Sequence, residues 1–226
     1  MCIRDRFWGY KTDGLIQTQE QLNAVKRADF QPNAELGDVL FVDTNGDGKL
    51  DSSDRCMIGN PIPDIIYGIN MGMAWKGFDL NLQFGGTIGN QIFNAMRYYT
   101  YFPNDITNKD RALMNYWTPN NTNTDIPRLT ATDVNDNDRF SDMYVENGTY
   151  FRLRNAQLGY TLPASLTQRI KLQKVRFYVS GQNLFTISSY SGMDPEVGQS
   201  SSLSRGIDYG IYPQNISFTG GINVTF

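Results

Sequence analysis

The chain has 226 residues, of which 20 are Lys or Arg and 23 are Asp or Glu, so its formal charge is −3, too balanced for a nucleic-acid footprint or a polybasic membrane anchor. It contains no histidine, which excludes histidine triads and imidazole metal sites, and its two cysteines, Cys2 and Cys56, cannot build a disulfide framework or a four-cysteine metal site. Apolar residues are 40%, yet aromatics reach 13% and there are 21 glycines, a balance that favours β structure with turns over disorder.

Residues 1–6 lack the apolar core of a signal peptide, so the expectation is either a cytoplasmic protein or a chain that begins inside a longer one. Thr18 and Gln21 form a capping-box pattern before Leu22 and Val25 and predict a short helix. Residues 37–42 read as extended.

Next comes Asp43-Thr44-Asn45-Gly46-Asp47-Gly48-Lys49-Leu50-Asp51-Ser52-Ser53-Asp54, which has the spacing of a calcium loop. Calcium is a hard cation that takes about 6–8 oxygens. Asp43, Asn45, Asp47, Asp51 and Asp54 would supply side-chain oxygens, Lys49 its carbonyl, and Gly48 the sharp turn. Asp54 stands where a longer Glu is usual, which shortens the reach. The competing reading is an Asx-rich turn with no metal. An EF-hand proper would need a helix on each side, and residues 37–42 do not provide one.

Strict alternation of apolar and polar residues then begins. Ile65, Tyr67, Ile69, Met71, Met73 and Trp75 face one way, and after a tight turn at Lys76-Gly77 so do Phe78, Leu80, Leu82 and Phe84. Residues 89–148 form a long polar connection, with one helix expected over 109–117 behind Asn108 as its cap. A third strand is expected over 149–162. Its parity breaks above Asn155, where Phe151 and Leu153 lie opposite to Leu158, which predicts a bulge or a change of environment. Residues 163–171 suit a short helical turn and 172–187 a fourth strand. The last strand, 216–226, places Ile216, Phe218, Ile222, Val224 and Phe226 on one face and carries no charge on either face.

Such uncharged two-faced strands suit lipid on one side and a polar lumen on the other. A membrane-spanning strand needs only about 9–11 residues, and its connections alternate between short periplasmic turns and long extracellular loops. The spacing here is short, long, short, long. Five strands cannot close a barrel, so the strands at 65–75 and 216–226 would remain as edges. The fold class expected is therefore all-β: the C-terminal strands of a large antiparallel transmembrane β-barrel, with long extracellular loops carrying short helices. Other candidates are weaker. Asp64 and Asp79 show no sign of a shared cleft. Arg152 and Arg154 read as solvated or lumen-lining. Tyr98, Tyr99 and Tyr101 could stack on a sugar or simply pack within the loop.

Four segments resemble the SusC/RagA-type TonB-dependent outer-membrane transporters. They are Phe7-Trp8-Gly9-Tyr10-Lys11-Thr12-Asp13-Gly14; Gly37-Asp38 through the acidic loop to Ile58-Gly59-Asn60-Pro61; Tyr150-Phe151-Arg152-Leu153-Arg154-Asn155; and Val175-Arg176-Phe177-Tyr178-Val179-Ser180-Gly181-Gln182-Asn183, followed by Met193-Asp194-Pro195-Glu196. The resemblance implies that residues 1–226 are the C-terminal part of a 22-stranded barrel, with 37–60 as an extracellular calcium-loop segment and 89–148 as a long extracellular loop. It implies a Gram-negative outer-membrane location in contact with lipid, and import of oligosaccharides or peptides. The partners implied are a SusD-like surface lipoprotein and TonB, the latter through a missing N-terminal part. It implies no catalytic residue. The rival class is a soluble calcium-binding, carbohydrate-binding β module, which would need charged outer faces on 65–88 and 216–226.

Overall fold

The computed structural model describes residues 6–101, 108–197 and 204–226, and Cys2 lies outside them. In chain order the strands are β1 (Phe7–Gly9), β2 (Thr12–Leu15), β3 (Val39–Phe41), β4 (Cys56–Gly59), β5 (Ile65–Trp75), β6 (Phe78–Ile88), β7 (Gln91–Asn94), β8 (Val145–Asn147), β9 (Tyr150–Thr161), β10 (Lys174–Ser188), β11 (Ile207–Asp208) and β12 (Ser217–Thr225). They fall into two compact units. The first comprises Met1–Ile62, Gln91–Glu146 and Val197–Ile211; the second comprises Pro63–Asn90, Asn147–Glu196 and Tyr212–Phe226.

The second unit is one antiparallel sheet in the order β12-β10-β9-β6-β5. Lys76 and Gly77 both have positive φ, 46° and 90°, which is the two-residue turn whose twist matches a tight hairpin. The register is set by rungs of like character. Phe78 stands opposite Trp75 and Tyr160; Leu80 opposite Met73 and Leu158; Val179 opposite Leu158 and Gly220. One face of all five strands is thus apolar, and its side chains stand out from the sheet: Trp75 is 67% exposed and Phe218 79%. Met73, Val179, Ile187 and Ile222 are exposed on the same face. The opposite face carries Asn81, Gln83, Gln157, Ser180, Thr219 and Asn223.

The parity break above Asn155 is a bulge. Asn155 pairs with Gln83 and Leu153 with Phe84, so Arg154 is an extra residue in β9 against β6; β10 is irregular at the same level, with Asn183 and Leu184 between the partners of Asn155 and Leu153. Below it 156, 158 and 160 face the apolar side; above it 151 and 153 do. The bulge lets Phe151 keep its stack on Phe84, at 5.2 Å between ring centres, while Arg152 turns to the polar face.

The first unit is built on the segment 7–15, which pairs with both stems of the acidic loop: β1 with β4, and β2 with β3. Tyr10, Leu15, Phe30, Val39, Phe41 and Trp117 form its main core. A polar network is buried beside it. Asp38, fully buried, accepts from Arg128 Nε at 2.6 Å and from Asn137 Nδ2 at 3.1 Å. The helix after Thr18 forms as expected, over Gln19–Arg27, with Thr18 and Gln21 capping reciprocally. The helix expected over 109–117 is shorter and tighter than the sequence suggests. It is a 3-10 helix over Arg111–Asn115, capped by Asp110 rather than Asn108, because the Asp110 carboxylate accepts from Ala112 N at 2.8 Å.

On the polar face of the sheet Asp79 of β6 and Arg176 of β10 pair across the intervening β9, with Nε to Oδ1 at 2.9 Å. They meet over Gly159; any side chain there would collide with the Arg176 guanidinium and the Asp79 carboxylate. Gly159→Val in the full-length protein is expected to destabilise the folded barrel by roughly 1–3 kcal/mol. The same substitution should cost much less in an Asp79→Asn, Arg176→Gln background, since neighbours that share one interaction are not additive. The midpoint of heat-modified gel migration would measure both.

Candidate functional site

The acidic loop leaves the core at Val42, whose N–H bonds Lys11 O at 3.0 Å, and returns at β4. Between those points each short acidic or amide side chain folds onto the backbone ahead of it. Asp43 accepts from Gly46 N at 2.6 Å and from Gly48 N at 2.8 Å; Asn45 accepts from Asp47 N at 2.8 Å; Asp47 accepts from Lys49 N at 2.9 Å. Gly46 and Gly48 sit at φ near 77° and 78°, with open space where a Cβ would be. These donors, Gly48 foremost, hold the Asp43 carboxyl below its usual range despite some desolvation.

The last two candidate ligands behave differently. Asp51 caps a short 3-10 turn, Ser52–Asp54, by accepting from Ser53 N at 2.7 Å. Asp54 is 0% exposed and closes the loop: it accepts from Thr44 N and Asp51 N, both at 3.0 Å. Each Asp54 oxygen keeps one further acceptor site. Among the described residues no three Asp, Glu or Cys side chains converge closely enough to hold a metal ion as they stand. The loop is thus a run of Asx turns, with Asn45 and Asp47 exposed and Asp43 half-buried.

The polar face holds a second constellation. Arg152 is not solvated; it is 2% exposed. Its guanidinium bonds Asp194 at 2.5 Å, Glu196 at 2.9 Å and Thr186 Oγ1 at 2.8 Å. Arg154, re-aimed by the bulge, bonds the other oxygen of Glu196 at 3.0 Å and Tyr150 OH at 3.2 Å. Asp194 also accepts from Glu196 N at 2.8 Å and from Gln214 N at 3.0 Å, so one carboxylate ties β9, residues 194–196 and residue 214 together. Sequence reasoning found the arginines and missed their partners. The available signal was that Asp194 and Glu196 are the only acidic residues between Thr186 and Ser204.

The remaining candidates do not form sites. Asp79 is taken by Arg176. Tyr98 packs against Phe93 and Tyr144, and burial raises its hydroxyl pKa; Tyr101 lies beneath the Arg97 guanidinium at 4.9 Å. Tyr99 remains exposed, edge-on to Tyr98.

Burial pushes the Asp194 carboxyl up, but the donors from Gln214, Glu196 and Arg152 outweigh it and the net shift is downward. A depressed folded value contributes stability that is complete above the ordinary aspartate value of about 4 and is lost as pH falls through the lower folded value. Asp194→Asn is therefore expected to destabilise at neutral pH, on the order of 3 kcal/mol. It should also flatten the acid side of the stability curve below about pH 4. Unfolding midpoints at pH 7 and pH 3 would measure this.

A continuous antiparallel sheet, apolar and uncharged on one face and polar on the other, is the wall of a transmembrane β-barrel, here unclosed. The chain is 38% identical over 230 residues to TonB-dependent receptor P3 of Formosa agariphila, covering 97% of this chain and 22% of that protein. TonB-dependent receptor SusC of Bacteroides thetaiotaomicron is 29% identical over 198 residues, covering 87% of this chain and 18% of SusC. A chain of the solved RagAB peptide transporter superposes with a TM-score of 0.73 at 25% identity, covering 98% of this chain and 22% of its own length. No family model matches. Sequence and fold agree that the chain is a segment of the SusC/RagA type of TonB-dependent outer-membrane receptor, spanning about a fifth of the length of these relatives.

Proposed function

We propose that this chain forms part of the wall of a TonB-dependent importer that carries oligosaccharides or peptides across the outer membrane, with a SusD-like lipoprotein over its extracellular face. The observation that carries the reading is the five-stranded sheet with an unbroken apolar face, together with its likeness to receptors and transporters rather than enzymes. A soluble carbohydrate-binding module fits less well, since it would leave Trp75, Ile69, Phe177 and Phe218 in water on one continuous surface. In cells expressing the full-length receptor, uptake of labelled oligosaccharide or peptide should fall to background when TonB is deleted or the inner membrane is uncoupled. A SusD-like lipoprotein should co-purify with the receptor. Uptake that persists without TonB would overturn the reading.

We propose further that residues 43–54 hold a structural Ca²⁺ ion. Side-chain oxygens of Asp43, Asn45, Asp47, Asp51 and Asp54 and the Lys49 carbonyl are its ligands, in a segment 37–60 that lies outside the cell with 89–148. Support comes from the spacing of these residues and from the Asx turns that wind the loop, whose carboxylates would have to draw together around the ion. Calorimetric titration of the full-length receptor should give a Kd on the order of 10⁻⁴–10⁻³ M. Asp47→Ala should weaken it at least about tenfold, the loss of roughly 1.4 kcal/mol of binding.

A further inference from the structure

The apolar face is not evenly covered. Two hollows, of about 380 and 410 Å³, share Leu158 and Val179 and so lie end to end along the sheet. The first is floored by Ala156, Gly181 and Gly220 and walled by Leu80, Leu184 and Phe218. Its floor follows from register: Ala156 pairs with Gly181, and Gly220, opposite Val179, lies diagonally beside Gly181, so small residues cluster on three neighbouring strands. The second hollow is bounded by the rung Phe78, Tyr160, Phe177 and Ile222, adjacent to the short turn at Lys76-Gly77. Together they make a furrow in a surface otherwise covered by large side chains.

The furrow runs toward a positive rim. Lys76 lies with its ammonium 5.0 Å from the ring centre of Trp75, and Trp75 belongs to the apolar face. Arg169 and Lys171 are exposed in the connection between β9 and β10, at the same end of the sheet. Residues 162–175 contain no acidic side chain, and Asp79, the first acid after the hairpin turn, is held by Arg176. Lys174 faces the polar side with Arg176 and takes no part. A cation beside an exposed tryptophan at the end of an apolar trough matches the boundary where a lipid headgroup meets its chains.

We propose that this furrow seats one acyl chain of an anionic phospholipid, whose phosphate is held by Lys76 within a rim extended by Arg169 and Lys171. Short strand connections face the periplasm in such barrels, and the adjoining leaflet is made of phospholipid, which favours this occupant over lipid A. The inference rests on the membrane placement of the sheet. That placement is checked separately by outer-membrane fractionation, which the variants below should leave unchanged.

The test uses the full-length receptor in mild detergent, with phosphatidylglycerol and phosphatidylcholine added together and the bound lipid counted by native mass spectrometry. The wild type should retain phosphatidylglycerol several-fold over phosphatidylcholine. Lys76→Gln should bring the two level. Gly220→Leu should reduce retention of both several-fold. A Cβ at residue 220 meets nothing nearer than 3.8 Å, so the sheet tolerates the start of the longer side chain. Equal retention of the two lipids by the wild type would overturn the proposal. So would unchanged retention in folded Gly220→Leu, preferential capture of lipid A, or a receptor dimer that Gly220→Leu dissociates. Should Gly220→Leu fail to reach the outer membrane, Lys76→Gln alone decides: retained selectivity refutes the seat.

Discussion

In hydrocarbon there is no water to satisfy a peptide group, so every strand in the second unit must give its N–H and C=O to a neighbour. That demand fixes the sheet, and the sheet's period of two fixes everything that faces outward. A slip of one residue between β6 and β9 would bring Asp79, Asn81 and Gln83 to the lipid side and Phe78, Leu80 and Leu82 to the lumen side. The observed register is the one in which Trp75, Phe78 and Tyr160 share a rung at the short-turn end. The same rule leaves β5 and β12 each with one unpaired edge. Their apolar faces are as regular as those of the inner strands, so these edges have the patterning of strands built to be flanked on both sides.

Against that regularity the bulge at Arg154 has a purpose that can be stated physically. Without it, Arg152 would lie on the same face as Ala156 and Leu158, a charged group on the membrane side. With it, the two arginines and Tyr150 gather on the polar face around Asp194 and Glu196. Arg152 is deeply buried, and a buried ion pair is weak evidence of net stability, because desolvation offsets much of the attraction. What the cluster supplies is position. Asp194 receives Arg152, Glu196 N and Gln214 N within hydrogen-bonding distance, a geometry that an apolar replacement of equal volume would not impose.

Much of this was legible before any coordinates, for reasons particular to each element. The strands at 65–75, 78–88 and 217–225 are alternations, and the hairpin turn is marked by Gly77, although Lys76 beside it also takes positive φ. The bulge showed as a parity error even though its cause did not. The helix after Thr18 was signalled by a local reciprocal cap. The expected helix over 109–117 was read too long because Asp110 competes with Asn108 for the same role, and apolar spacing alone does not show where a 3-10 turn replaces an α-turn. Asp194 and Glu196 escaped because their partners lie about 40 positions away in sequence, a pairing that depends on the fold. The buried network of Asp38, Asn137 and Arg128 was illegible for the same reason; it joins residues about 90 to 99 positions apart.

The acidic loop departs from the usual calcium frame in a way the structure makes intelligible. Two flanking helices normally fix the ends of such a loop; here β3 and β4 fix them, each pairing with part of the segment 7–15. Strand stems leave the loop's own side chains to set its shape, and Asp43, Asn45 and Asp47 do so through successive turns onto Gly46, Gly48, Asp47 and Lys49. Asp54 then serves as the clasp, one oxygen on each side of the loop neck. A longer Glu at that position would carry its carboxylate past the Thr44 and Asp51 amides. Asp is the residue short enough to close the neck, and on the proposed reading it would share those oxygens with the ion. Ion and neck would then draw on the same two atoms, so the loop would stay closed without Ca²⁺ and gain only rigidity with it. On the proposed reading, a weak affinity would follow from a twelfth position whose oxygens are already in use.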